Sequence, residues 1–80
     1  MAVRETEAHV LREIGRRIRD ARVAAGLSQE AAAARAGIDS KRWQRIERGA
    51  VNATVRTRVR IGRALDVSVW TLLAPTLQGR

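Results

Sequence analysis

One recurring pattern restricts the possible folds of this 80-residue chain more than any other feature. In this pattern, a glycine that can end one helix is closely followed by a residue that can cap the next. Gly26 and Gly37 stand two residues before Ser28 and Asp39, whose side chains can accept hydrogen bonds from the first amides of a helix. Glycine favours the left-handed conformation in which many helices end. Strand-like alternation does not recur along the chain. The sequence therefore predicts an all-α fold of short helices joined by tight turns.

Apolar spacing and capping residues divide the chain into five predicted helices. The first carries apolar residues at three- and four-residue spacing, and Thr54 can cap the fourth. The β-branched residues of the fourth segment also allow a strand, but the segment is longer than usual strands and has no turn residues. Pro75 stops the fifth helix, which begins after Ser68. The predicted helices span about 7–25, 29–36, 40–48, 55–65 and 69–74. The expected inward residues are Leu11, Ile14, Ile18, Ala21 and Ala25 in the first helix, and Val55, Val59, Ile61, Gly62 and Leu65 in the fourth.

Length and cysteine content restrict the class of protein. Eighty residues make a single domain, with an expected core over about residues 10–74 and short flexible ends. The absence of cysteine excludes disulfides and fits a reducing compartment. No apolar run resembles a signal peptide or a membrane span. We therefore expect one cytoplasmic domain, too small for a conventional ligand pocket.

Residues that carry catalytic chemistry are sparse. His9 has no second ligand at metal-binding spacing, so a solvated helix residue is the preferred interpretation. No glycine-rich phosphate loop, nucleophile elbow or paired-carboxylate site is visible. The sequence therefore predicts no enzyme activity, no cofactor and no metal site.

Positive charge is concentrated in the second half of the chain. Sixteen basic residues stand against eight acidic ones in the whole chain. Between Arg35 and Arg63, nine basic residues face only Asp39 and Glu47. A focused positive field attracts polyanions, which indicates nucleic acid as a partner. A generally arginine-rich composition is the alternative explanation.

Residues 29–49 have the pattern of two short helices joined by a sharp turn. Ala33 allows the two helices to approach closely, Gly37 allows the change of direction, and Ile38 can fill the angle between them. This geometry pushes the second helix outward, where it can enter a DNA major groove. Its expected outward positions carry the donors that groove and phosphate contacts need: Ser40, Lys41, Arg42, Gln44, Arg45 and Arg48.

Four short segments follow one another in a characteristic order and spacing: IGRRIR at 14–19, GLSQE at 26–30, RIERG at 45–49 and RALDVSV at 63–69. With these segments, the sequence resembles the Xre or Cro/repressor type of helix-turn-helix regulators over about residues 14–73. The resemblance implies a compact five-helix bundle of the lambda-repressor-like kind, with a recognition helix over about 40–48. It also implies a transcriptional regulator, usually a repressor, that binds palindromic double-stranded DNA as a homodimer.

The resemblance also assigns roles to single residues. Gln29 matches a glutamine that meets a DNA phosphate and braces the recognition helix. Arg22 and Glu47 match an ion pair that joins the first helix to the end of the recognition helix. Arginine or lysine can donate to the O6 and N7 of guanine, which suits Arg45 and Lys41 to base contacts. The implied base contacts are Ser40, Lys41, Gln44 and Arg45, and the implied phosphate contacts are Gln29, Arg42, Arg48 and Asn52.

Four positions depart from the family pattern. Trp43 stands where a leucine-like residue is usual, whereas Ala21 and Ala32 replace leucines. The expected consequence is a volume exchange in which the indole of Trp43 fills core space left by the alanines. Arg58 occupies a position that is commonly apolar, which predicts a rotated or partly open inner face of the fourth helix there.

The fifth helix offers more apolar side chains than it can bury. Trp70 fits either core packing or a dimer contact, and surplus apolar surface favours a partner. The expected dimer interface comprises Val69, Trp70 and Leu73, with Leu77 as a further apolar residue. The alternative function is an antitoxin or docking module that binds a partner protein and its own promoter. Only residues 1–7 and 76–80 lie outside the bundle, which disfavours that alternative.

Overall fold

The computed structural model describes residues 5–73, and this part of the chain contains five α-helices in sequence and no strand. The predicted all-α five-helix architecture is therefore confirmed. Ala74, Pro75 and Leu77 lie outside the described residues, as does the side chain of Leu73. No helix within residues 5–73 has the length and apolar character needed to cross a membrane. The helices are α1 (Glu7–Ala24), α2 (Gln29–Ala36), α3 (Ser40–Glu47), α4 (Val55–Leu65) and α5 (Val69–Leu73).

Side-chain caps begin the first four helices. The Ser28 hydroxyl accepts a hydrogen bond from the Ala31 amide at 3.0 Å, as the sequence pattern predicts. Each cap of this kind stabilises a helix by about 1 kcal/mol, because it satisfies an otherwise unpaired amide. The start of each helix is therefore set by a local hydrogen bond. The four capping residues are Thr6, Ser28, Asp39 and Thr54.

The helix ends differ from the predictions in small ways. Gly37 ends α2 in the predicted left-handed conformation, with φ of 69°. Ala25 and Arg48 are C-caps in right-handed conformation, so α1 and α3 each end one residue earlier than predicted. Asp66 ends α4 with φ of 58°. A short polar side chain tolerates this left-handed conformation, so α4 ends at Leu65, as predicted, without a glycine.

Trp43 lies in the centre of the core and is fully buried, which confirms its predicted packing role. α2 contributes only alanines to this core. Their small side chains allow α2 to lie close to its neighbours. Ala32 is buried in the same cluster as the indole, and Ala21 packs against that cluster, as a volume exchange requires. The buried apolar residues are Ile14, Ile18, Ala32, Ala33, Ala36, Trp43, Ile46, Ala53, Ile61, Leu65 and Leu72.

Two expected inward residues, and a third for which core packing was one of two interpretations, lie at the surface. Val55 is 62% exposed, because α4 contributes buried residues only in its second half and Val55 begins the helix. Ala25 is exposed because α1 has already ended there. Trp70 is 72% exposed, so the core interpretation of this residue is wrong. Leu72 takes the buried position of α5, and Trp70, two residues earlier, lies on the opposite side of the helix.

Gly15 allows α1 to approach the end of α3 closely. It is buried, and a methyl group added there would overlap the backbone carbonyl of Glu47. Backbone-to-backbone approach of this kind is available only to a residue without a side chain. Gly15 therefore fixes how near the last turn of α3 lies to α1.

Candidate nucleic-acid interface

α3 has a buried side and an outward side along its whole length. Trp43, Ile46 and Glu47 are buried, and they hold the helix against the rest of the domain. The opposite side carries the hydrogen-bond donors that the sequence analysis placed outward. Lys41, Arg42, Arg45 and Arg48 are exposed, and Ser40 and Gln44 are half-buried at the border between the two sides.

The cations of this outward side form no ion pair with any acidic residue in the described part of the chain. Asp39 is the carboxylate that precedes them directly. It serves as the N-cap of α3, where its Oδ2 accepts hydrogen bonds from the amides of Lys41 and Arg42 at 3.0 and 3.3 Å. The donor groups of the side chains therefore remain available to an external anion.

One buried carboxylate ties this helix to its two neighbours. Arg22 of α1 donates from Nε to Glu47 Oε2 at 2.6 Å and from Nη2 to Oε1 at 3.3 Å. Gln29 of α2 donates from Nε2 to Oε1 at 2.9 Å. The Trp43 indole donates from Nε1 to Oε2 at 2.6 Å. We call these four residues the Glu47 hub. The hub sets the position of α3 relative to both α1 and α2.

The hub keeps Glu47 ionised although the side chain is buried. Burial by itself would raise the pKa of this carboxyl group. Hydrogen bonds from Arg22, Gln29 and Trp43, together with the charge of Arg22, outweigh burial and hold the pKa below its ordinary value. At neutral pH the hub is therefore a charged, fully bonded network. The pairing of Arg22 with Glu47 was predicted from the sequence, but the Trp43 donor was not. The available signal for that donor was the four-residue spacing between Trp43 and Glu47 on one helix.

Gln29 acts as the brace that the resemblance implied. It is half-buried at the start of α2, and its amide nitrogen is bonded to Glu47 in the unbound protein. An amide NH₂ group carries two donors, so this bond leaves the second one for a further acceptor. The contact between Gln29 and a DNA phosphate remains a prediction.

Arg58 orients another predicted phosphate contact. It donates from Nη2 to Asn52 Oδ1 at 2.9 Å, across the connection between α3 and α4. Because Oδ1 is the acceptor, the amide nitrogen of Asn52 remains as a donor. Arg58 is half-buried, and desolvation lowers the pKa of its guanidinium group. This role of Arg58 was not predicted from the sequence, where the available signal was an arginine at a position that is commonly apolar.

A model of the helix-turn-helix domain family matches residues 13–72, which cover all five helices except the first turns of α1 and the last residue of α5. The chain belongs to the helix-turn-helix domain family. The two helices of the motif are α2 and α3, joined at Gly37, as the sequence predicted. The protein is thus a helix-turn-helix DNA-binding domain of the transcription-regulator class.

Solved structures of other helix-turn-helix proteins share the fold. The restriction-modification controller protein C.AhdI from Aeromonas hydrophila is 35% identical, with a TM-score of 0.76 over 78% of this chain and 94% of its own. A hypothetical transcription factor from Neisseria, NHTF, is 27% identical, with a TM-score of 0.82 over 98% of this chain and 90% of its own. A variant of the controller protein C.Esp1396I is 25% identical, with a TM-score of 0.79 over 94% of this chain and 100% of its own. Among curated proteins, no match was found.

Proposed function

We propose that this helix-turn-helix domain is a homodimeric repressor that binds a palindromic operator in double-stranded DNA, with α3 as the recognition helix. The observation that carries the proposal is the outward side of α3, whose cations have no carboxylate partner within the described residues. The Glu47 hub supports it further, because preorganised donors lose less conformational freedom on binding.

The side chains on and around the outward side of α3 fall into two groups, those that contact bases and those that contact phosphates. Lys41 and Arg45 are one helical turn apart, and both can donate to the O6 and N7 edge of guanine. Contacts to phosphate fix the position of a protein on the duplex without reading its sequence. We assign base contacts to Ser40, Lys41, Gln44 and Arg45, and phosphate contacts to Gln29, Arg42, Arg48 and Asn52.

The dimer is proposed from the exposed side of α5. Trp70 presents 72% of its surface to solvent, and Val69 beside it is half-buried. Tryptophan is enriched among the interface residues that provide a large part of the binding energy between proteins. We place Val69, Trp70 and Leu73 in a symmetric contact between two copies. Two copies on one duplex would cover a promoter and block transcription from it.

The regulatory setting is inferred from the named relatives. C.AhdI and C.Esp1396I are described as restriction-modification controller proteins, and this chain covers nearly the whole length of each. We infer that this domain is a controller of the same general kind. A reporter promoter that overlaps the selected operator should lose activity when the protein is expressed.

Selection of binding sites from random duplex DNA tests the proposal. We expect an inverted repeat whose half-site centres are about 34–36 Å apart, because two symmetric recognition helices enter grooves one helical turn apart. Affinity for the selected site should fall steeply as salt rises, because bound cations release counterions from the phosphates. Enrichment of no sequence, or of a single half-site without symmetry, would reject the operator model.

A further inference from the structure

A second arginine cluster lies between α2 and α4 and includes no residue of α3. Here a surface cleft of about 400 Å³ is lined by arginines from both helices and by two alanines. No acidic residue lines it. We call this feature the α2–α4 cleft; its lining residues are Arg35, Ala36, Arg60, Arg63 and Ala64.

Arg60 is held in a fixed position at this cleft. Its Nε donates to the carbonyl of Ala36 at 3.0 Å, and its Nη2 donates to the carbonyl of Gly37 at 2.7 Å. These carbonyls end α2, where the helix dipole is negative, so Arg60 neutralises a group that would repel an anion. A guanidinium has five N–H donors, and these two bonds leave three of them unused. Gly37 makes the approach possible, because a Cβ there would come within 2.5 Å of Nη2.

The positive charge of the cleft has no internal counterion. The ion pairs in the described part of the chain lie within α1 or join α1 to α3. None of them involves Arg35, Arg60 or Arg63, and Asp66, which follows α4, forms none either. Three like charges around one cleft repel each other unless an anion is present.

We propose that the α2–α4 cleft binds a phosphate group, independently of the DNA contacts of α3. The planar guanidinium matches the geometry of phosphate oxygens and can bond two of them at once, which favours phosphate over a spherical anion. The phosphate comes either from the backbone of DNA that flanks the operator or from a small phosphorylated molecule. The chemistry of the site is the same in both cases.

Titration with inorganic pyrophosphate, followed by amide NMR shifts, tests the cleft. Arg35→Gln and Arg63→Gln remove one donor group each, whereas Arg60 is left intact because it holds the end of α2. Arg19→Gln is the control, because Arg19 is exposed on α1 and its substitution removes the same net charge as each cleft substitution. We expect saturable shifts around residues 35–37 and 60–64. Each cleft substitution should weaken the fitted affinity about threefold to fivefold, and Arg19→Gln should not.

The proposal is overturned if the shifts at the cleft do not saturate, or if Arg19→Gln weakens them as much as the cleft variants do. Because pyrophosphate replaces DNA in this titration, its result does not depend on whether the proposed operator exists. Binding to the selected operator with short and with extended flanks then identifies the source. If Arg35→Gln binds more weakly than the wild type only on the extended duplex, the phosphate comes from the DNA backbone. If Arg35→Gln binds both duplexes as tightly as the wild type does, the phosphate comes from a small phosphorylated ligand.

Discussion

At the scale of single residues, Glu47 determines how firmly the recognition helix is held. Its carboxylate accepts hydrogen bonds from three helices while 3% of its side chain is exposed. A buried ion pair is not reliably stabilising as a whole, because both charges lose their hydration. Removing one partner is nevertheless costly, because it leaves an unpaired buried charge. The hub therefore contributes specificity of packing, and its members respond unequally to substitution.

Arg22→Ala should destabilise the domain far more than Arg19→Ala. Arg22 bonds both oxygens of Glu47 and also the Leu27 carbonyl at 2.8 Å, whereas Arg19 is exposed on the same helix. We expect a loss of about 3–5 kcal/mol for the first variant and less than about 0.5 kcal/mol for the second. Urea denaturation measures both. Equal midpoints for the two variants would mean that the Arg22–Glu47 pair does not hold the fold.

Acid should weaken the domain through Glu47. A carboxyl group whose pKa is lowered by folding stabilises the folded state above its unfolded pKa, and this contribution is lost as the pH falls through the folded pKa. The melting temperature of the wild type should therefore decline below about pH 4.3, the ordinary pKa of glutamate. Glu47→Gln should be less stable at neutral pH, and its difference from wild type should shrink in acid. Glu5→Gln, which alters an exposed residue before α1, is the control. A constant difference across this pH range would contradict the account.

Arg45→Ala and Arg48→Ala should have different effects on DNA binding. Arg45 lies on the outward side of α3, where it can reach a base edge, and Arg48 caps the helix end. Loss of a base contact should cost about 1–3 kcal/mol and relax the preference at particular operator positions. Loss of a phosphate contact should weaken all sequences similarly and reduce the salt slope by about 1. Selection repeated with each variant measures the sequence preference, and affinity at several salt concentrations measures the salt slope. Identical results for the two variants would reject the assignment.

At the scale of helices, local chemistry explains why the sequence predicted the fold well. Ser28, Asp39 and Thr54 each form the expected cap, because capping needs only a side-chain oxygen and the next amides. The tertiary environment was harder to predict. Val55 lies outside the core, since its burial depends on how α4 meets its neighbours. The additional donors to Glu47 likewise become visible only when three helices are packed together.

Gly15→Ala should destabilise the domain, although alanine is the better helix former. In an exposed helix the change would stabilise by about 1 kcal/mol. Here the added methyl overlaps the Glu47 carbonyl, and forced overpacking costs about 1–3 kcal/mol, so α1 and α3 must separate. Ala8→Gly, at an exposed position of α1, should lose about 0.5–1 kcal/mol by the ordinary propensity rule. A rise in the urea midpoint of Gly15→Ala would show that the two helices are not in close contact.

At the scale of the whole molecule, exposed apolar surface and unpaired charge both point to partners. Val23 and Trp70 are each more than half exposed, but only Trp70 belongs to the short helix with surplus apolar residues. The positive charge between Arg35 and Arg63 is shared by the outward side of α3 and the α2–α4 cleft. Charge concentration was predictable from sequence, but its division into two surfaces required the fold.

Trp70→Ala should weaken the proposed dimer at least about thirtyfold, because a central tryptophan commonly contributes about 2 kcal/mol or more to an interface. Sedimentation equilibrium over a range of concentrations measures the dissociation constant. Val23→Ala is the matched control, since Val23 is 59% exposed on α1. Its dissociation constant should equal that of the wild type. If the dissociation constant of Trp70→Ala also equals that of the wild type, the dimer contact lies elsewhere.

Amide and arginine side-chain NMR of the labelled protein, titrated with the selected duplex, tests most directly whether the outward side of α3 is the DNA-binding surface. We predict the largest shifts from Ser40 to Arg48 and at the side chain of Arg45, with little change at Arg16 and Arg19 on α1. A scrambled duplex of equal length should produce smaller, fast-exchanging shifts that disappear as salt is raised. Shifts centred on another surface with α3 unchanged, or equal responses to the two duplexes, would contradict the account.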